Sequence, residues 1–352
     1  MRVKLGGARE LRKLFVLVRL PSMHRVLAEW IDGAIIRLAC RHTPECGRLN
    51  HNPLEAAKLL ESEDFFCHQV SPPSNLLPPA GGPFRFASSV PGSCAESNTV
   101  YGTFYPCRGD WSSRPTAILL HGWNDEIGYR FRSPYVAKRL VRRDVNALCI
   151  ELPFHLRRRP RRPEVPGDFI SEDLWRTVEA ARQSIGDTRS LVAWLKLHTR
   201  GPVAVWGISL GGWITGLVAA HDPALDVAVL MTPVVDMQRV VRELPFCEPL
   251  RRSLANAGLN IDVLNPAQYQ PRLAPGRILL IEAIYDKFAP AETVEQLWSA
   301  WREPEIWRLR HGHISVLLSM PIMRRTVQWL AHKLHSATSG NASPTPLVWP
   351  EL

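Results

Sequence analysis

"AVWGISLGGW", from Ala204 to Trp213, sets a run of apolar and β-branched residues against a serine, Ser209, flanked at two-residue spacing by Gly207 and Gly211. A buried strand that passes into a helix through a turn too tight for side chains would leave this pattern, with the serine hydroxyl pushed out at the top of a sheet as a nucleophile. A loop of small residues would leave it too. G-x-S-x-G arises by chance in about one chain in ten of this length, so the surroundings of Ser209 have to decide.

Working outward, eight short β-rich runs begin at residue 84: "FRFASSV", "NTVYGTFYPC", "TAILLHG", "VNALCIELP", "PVAVWGIS", "DVAVLMTPVV", "RILLIEAIYD" and "EIWRLRHGH". Those at 116–122, 145–150, 203–208, 227–232 and 278–284 are almost continuously apolar, as strands covered on both faces must be, and helical stretches separate several of them. Residues 171–198 open on a Ser/Asp-rich turn suited to N-capping and place Leu174, Val178, Ala181, Ile185, Val192 and Leu195 on one face. A further helix is expected directly after Ser209, and a last amphipathic one over about 321–335. The pattern predicts an α/β fold: a mostly parallel eight-stranded sheet with helices on both faces. Ser209 then stands at the carboxyl end of the central strand, where open α/β sheets bind ligands.

Outside this core, residues 1–83 read as a helical N-terminal extension ("RELRKLFVLVRL", "HRVLAEWIDGAIIRLAC", "PLEAAKLLESEDFFC") ending in the Pro-rich "SPPSNLLPPAGGP". The core domain is expected over 84–337. A lid-like helical insertion at 236–276 follows the sixth strand, and 338–352 has the composition of a disordered tail.

A serine hydroxyl needs a histidine base, and the base needs a carboxylate to fix its tautomer; in a sheet of this kind the chain order is Ser, acid, His. Asp286, in "IYDKFAP" just past the seventh strand, is the candidate acid, with Asp236 after the sixth strand as the fallback. "RLRHGHIS" offers two histidines, His311 and His313, in a turn that Gly312 permits. Spacing favours His313, which follows the glycine and can reach back over the sheet edge, but leaves both open. The backbone N–H groups of Leu210, at a helix N-terminus, and of Trp123, in "LLHGWNDE", are the expected oxyanion donors. His121, Asp125 and Glu126 are read as supports of that loop.

Taken together, "HGW", "GISLGG", "YDKFAP" and "HGHIS", in this order, resemble the α/β-hydrolase superfamily over about residues 84–337. Within it the chain is most similar to the alpha/beta hydrolase domain-containing protein 18 family, on "HG" followed by "NDEIGYRFR", on the "ELPF" turn and on the G-H-x-S ending "GHIS". The resemblance implies His313 as the base. It also implies a serine hydrolase that cleaves a carboxylic ester, of a lipid or another acyl compound, through an acyl-enzyme. An acyltransferase or peptidase using the same triad, and a non-catalytic membrane-associated scaffold, stand as alternatives.

Composition narrows the partners. The longest apolar runs, such as "LFVLV" at 14–18, are far short of the roughly 20 residues of a membrane-spanning helix, and the N-terminus lacks the pattern of a secretory signal. Seven cysteines in no zinc-like spacing suggest a reducing cytoplasm and no metal, Cys40 and Cys46 beside His42 and His51 being the weak exception. No cofactor and no nucleic-acid partner are expected. The net charge of +10 is concentrated in residues 1–50 and in "RRRPRR" at 157–162. Both segments raise the expectation of peripheral contact with an anionic membrane, although docking on the core is the favoured reading of the helix at 9–20.

Overall fold

In the computed structural model, which describes residues 22–40, 53–62, 64–67, 72, 76, 80–161 and 169–338, the eight runs become β1 (Gly82–Ala87), β2 (Thr99–Tyr105), β3 (Thr116–Leu120), β4 (Asn146–Ile150), β5 (Val203–Ile208), β6 (Val227–Met231), β7 (Ile278–Ala283) and β8 (Glu305–Leu309). They form one sheet in the order β1-β2-β4-β3-β5-β6-β7-β8. The pairs β1/β2 and β2/β4 are antiparallel and the rest parallel. The first strand starts at Gly82, slightly ahead of the expected boundary at 84. The expected helix at 9–20, most of the Pro-rich connection, Cys46, His42, His51 and residues 339–352 lie outside the described residues.

Ten helices matter to the site: α1 (Arg25–Cys40), α2 (Pro53–Leu60), α3 (Ser133–Val141), α4 (Leu174–His198), α5 (Leu210–His221), α6 (Met237–Glu243), α7 (Glu248–Ala257), α8 (Ala291–Ala300), α9 (His313–Leu318) and α10 (Met320–Thr338). Alternate strand residues feed two cores, as the period-two geometry of a strand dictates. Ile118, Leu120, Val203 and Val205 pack with α4, α5 and α8, through Val178, Ile185, Ile214 and Leu297. Ala117, Leu119, Ala204 and Trp206 face α3 and α10, through Leu140, Met323 and Leu330. Each fully buried Leu or Ile side chain contributes about 1.5–3 kcal/mol, so two covered faces hold the central strands rigidly under the site.

Arg157, Arg158 and Arg159 of the arginine run all have acidic partners. Arg158 is fully buried and donates to Ser97 O (2.6 and 2.9 Å), Glu151 O (2.8 Å) and Asp187 Oδ2 on α4 (2.7 Å). Arg157 pairs with Glu151, and Arg159 with Glu126 and Asn124. These contacts anchor the "ELPFHL" turn after β4, in which Phe154 and Leu156 take positive φ values of 60° and 49°, a conformation costing about 1–3 kcal/mol each for bulky residues.

At the other end of the sheet, α1 packs against α9. Met23 N–H donates to Arg310 O at 2.7 Å, and Ala28 and Asp32 are its buried residues. Trp30, by contrast, is 63% exposed.

Candidate active site

The opening question resolves on distances. A Cβ on Gly207 would lie 1.9 Å from Gly211 O, and one on Gly211 would lie 2.6 Å from Leu120 O. Only glycine lets β5 turn into α5 against the end of β3. Ser209, between them, has φ 54° and ψ −113°, a strained conformation that lifts its side chain off the sheet edge.

The structure brings the hydroxyl to two of the candidate side chains. Ser209 Oγ lies 2.8 Å from His313 Nε2, and His313 Nδ1 lies 2.6 Å from Asp286 Oδ2. With Nδ1 donating to the carboxylate, Nε2 is left to accept the serine O–H. The Asp286 turn is itself fixed, since Oδ1 accepts the N–H groups of Phe288 (2.7 Å) and Ala289 (2.8 Å). The side chains of His313 and Asp286 are 4% and 2% exposed. Burial works against protonation of His313, but the carboxylates of Asp286, Asp32 and Asp125 outweigh it and hold the imidazole above its ordinary pKa.

The loop after β3 lies alongside, with a Cβ on Gly122 3.4 Å from Ser209 Cβ. Among the described residues neither the Leu210 nor the Trp123 backbone N–H has a hydrogen-bond acceptor. His121 supports this loop from within: Nδ1 donates to Gly122 O at 2.8 Å and Nε2 accepts Leu152 N–H at 3.0 Å. Burial depresses its pKa, which keeps it neutral. Asp125 accepts Gly128 N–H and pairs with Arg132, and Glu126 pairs with Arg159.

The structure does not bring the other candidates to the serine. His311 is buried with Nδ1 3.1 Å from Ser315 Oγ. Asp236 caps α6, accepting Arg239 N–H at 2.7 Å. Gly312 differs from its expected role. Its φ of −91° is open to any residue, and what demands glycine is space: a Cβ would lie 2.8 Å from Asp32 Oδ2 and 3.0 Å from Ala28 O.

Several neighbours of the site carry no motif in the sequence. Phe246, in the 236–276 insertion, stacks on Trp123 at 4.7 Å and 14°, and Phe288 lies 4.9 Å from the His313 ring. His155 packs 5.0 Å from His121, with Nδ1 on Pro153 O. Asp32 is the least expected. For it a signal does exist: a carboxylate four residues after Ala28, on the stripe of α1 that turns inward while Trp30 turns out.

Among the described residues no His, Cys, Asp and Glu group is arranged to hold a metal, and no helix is long and apolar enough to cross a membrane.

Residues 80–274 match the family described as Alpha/beta hydrolase domain containing 18. That range includes Trp123 and Ser209 and stops before Asp286 and His313. The chain is 30% identical over 223 residues to the uncharacterized protein Rv2627c of Mycobacterium tuberculosis H37Rv, covering 61% of this chain and 53% of that protein. It thus spans about half the length of the curated relatives it matches. Among solved structures it is similar to an acetyl xylan esterase from Paenibacillus sp. R4 (TM-score 0.56, 15% identity, 85% of this chain and 99% of that one). The acylaminoacyl peptidase of Pyrococcus horikoshii is also similar (TM-score 0.54, 13% identity, 76% and 43%). At these identities the likeness is one of fold.

Proposed function

The chain belongs to the Alpha/beta hydrolase domain containing 18 family, and from that premise we propose that it is a serine hydrolase cleaving a carboxylic ester of a lipid or another acyl compound. The observation that carries the reading is the continuous hydrogen-bonded line from Ser209 through His313 to Asp286, built on a strained elbow at the carboxyl end of β5.

Ser209 Oγ attacks the ester carbonyl carbon while His313 Nε2 takes its proton, and Asp286 stabilises the imidazolium that forms. The oxygen that becomes negative is held by the N–H groups of Leu210 and Trp123, which have no other acceptor among the described residues. Collapse expels the alcohol, protonated by His313, and leaves an acyl-Ser209. Water, deprotonated by His313, then releases the acid and restores the serine. The chemistry calls on no group beyond these side chains and amides. Supporting an acyl substrate, Phe288 lies 4.9 Å from the His313 ring and 6.4 Å from Phe246, which stacks on Trp123, and such rings offer apolar surface suited to an acyl group.

The test is labelling by a fluorophosphonate probe together with turnover of acyl esters graded in chain length and headgroup. Wild type is expected to be labelled, and Ser209→Ala to lose both labelling and turnover, the latter by about 10⁴-fold or more. Equal labelling of the two proteins would refute the assignment. Product analysis with water and alcohol acceptors separates hydrolysis from acyl transfer.

A further inference from the structure

Asp32 sits on α1, outside the sheet domain, yet it is fully buried against the catalytic turns. Its Oδ2 accepts the backbone N–H of His313 at 2.8 Å and of Lys287 at 3.2 Å, and its Oδ1 accepts that of Ile314 at 3.0 Å. One carboxylate therefore ties the residue after the acid Asp286 to the base His313 itself. We infer that Asp32 is a positioning residue of the triad, a carboxylate supplied by the N-terminal extension that clamps the acid turn to the histidine turn and holds His313 on Ser209. The inference rests on the triad reading above.

A role limited to capping α9 does not account for the arrangement. A short helix is capped most cheaply by a local, solvated side chain, whereas burying a carboxylate is costly unless something is gained from its charge. Two things are gained here that a local cap cannot give. Lys287 N–H, from the other turn, is captured by the same oxygen that holds His313. A second negative charge also stands beside the imidazole that must become positive when Ser209 gives up its proton. Burial, with the nearby Asp286 carboxylate, holds the Asp32 carboxyl above its ordinary value, against the opposing pull of His313 and of the N–H groups of Ile314 and His313. The charged groups that act on His313 are Asp286 from the acid turn, Asp32 from α1 and Asp125 from the loop after β3. The Lys287 ammonium is turned to Glu29, 3.5 Å away. Gly312 carries the imprint of this clamp, because any side chain there would displace Asp32.

The experiment uses the full chain as wild type, Asp32→Asn, Gly312→Ala and the control Arg37→Gln, which alters an exposed charge on the same helix away from the clamp. Two quantities are read in each: the pH midpoint of the His313 imidazole by NMR, and the rate of fluorophosphonate labelling as a function of pH. Removing the Asp32 charge, or pushing it away with Gly312→Ala, is expected to move the His313 midpoint and the acidic limb of labelling to lower pH. Labelling at neutral pH should slow by about 10- to 100-fold, the scale of a small misplacement of a catalytic group. Arg37→Gln should change neither quantity. Gly312→Ala keeps the test open if Asp32→Asn does not fold. An unmoved midpoint in the folded variants overturns the inference, and so does slower labelling with an unmoved midpoint, which would make Asp32 a support of the fold alone. If wild type is not labelled at all, the esterase reading fails, while the midpoints still decide the effect of Asp32 on His313.

Discussion

Replacing Arg158 by methionine should be among the most destabilising single changes in the molecule, although the sequence presents it as one of a run of surface charges. The guanidinium has no exposure and makes four hydrogen bonds, to Ser97 O twice, Glu151 O and Asp187 Oδ2. Methionine fills much of the volume but leaves Asp187, 1% exposed, with only Ser88 Oγ at 2.5 Å and the Gly-free turn above it without its anchor. An uncompensated buried charge of this kind costs about 3–5 kcal/mol. At about 2–4 °C per kcal/mol for a domain of this size, the melting temperature should fall by roughly 6–20 °C. Burial already raises the Asp187 carboxyl, so the variant should recover part of the loss in acid, where Asp187 takes up a proton. Urea unfolding of wild type, Arg158→Met and Arg161→Gln at pH 7.5 and pH 5 measures all of this. Arg161 is exposed, and its change should stay within about 0.5 kcal/mol. A loss below about 1 kcal/mol for Arg158→Met, or an equal loss for Arg161→Gln, would refute the reasoning.

Three further outcomes follow from the geometry. His313→Ala should abolish ester turnover nearly as fully as Ser209→Ala, while His311→Ala, whose ring bonds Ser315, should keep turnover within about tenfold and lose stability in a thermal melt. Asp286→Asn should lower turnover by several orders of magnitude through the wrong imidazole tautomer; Asp236→Asn should leave turnover unchanged and cost about 1 kcal/mol or less of stability as a weakened cap. Glu282, 3% exposed, has its carboxyl pushed up to about 8 by burial and by the neighbouring Glu295 carboxylate, from an ordinary value of 4.5. Because the folded form holds that proton more tightly, its contribution is present below about pH 4.5 and is lost as pH rises through about 8, by up to about 1.4 kcal/mol per pH unit. Glu282→Gln should therefore match wild type near pH 4.5 and exceed it in denaturant midpoint at pH 8.

The sheet was legible because its five central strands are buried on both faces and so have almost no polar residues to obscure them. The Ser209 elbow was legible because steric exclusion at Gly207 and Gly211 leaves a fixed spacing in the sequence. Choosing between His311 and His313 was harder, since both flank the same glycine and only the reach of each ring separates them. The burial of Arg158 and the place of Asp32 were missed for one reason. A charge is written the same way whether water or a buried partner neutralises it, and Asp187 lies 29 residues from Arg158 while His313 lies 281 from Asp32. Average behaviour buries tryptophan and exposes aspartate; α1 does the reverse at Trp30 and Asp32 because the backbone N–H groups of Lys287, His313 and Ile314 make a place for a carboxylate.

The span between Asp32 and His313 also sets an order of events in synthesis. The helix that carries Asp32 is made before the sheet, whereas Lys287, which donates to it, follows β7, and His313 and Ile314 follow β8. Closing so long a loop costs conformational entropy that no local contact returns, so α1 finds its seat only once β7 and β8 have brought the two turns together. Ser209 and its elbow can be in place well before that. Until α1 reaches those turns, Ser209 stands on a formed elbow while the carboxylate that ties the His313 turn to the Asp286 turn is missing.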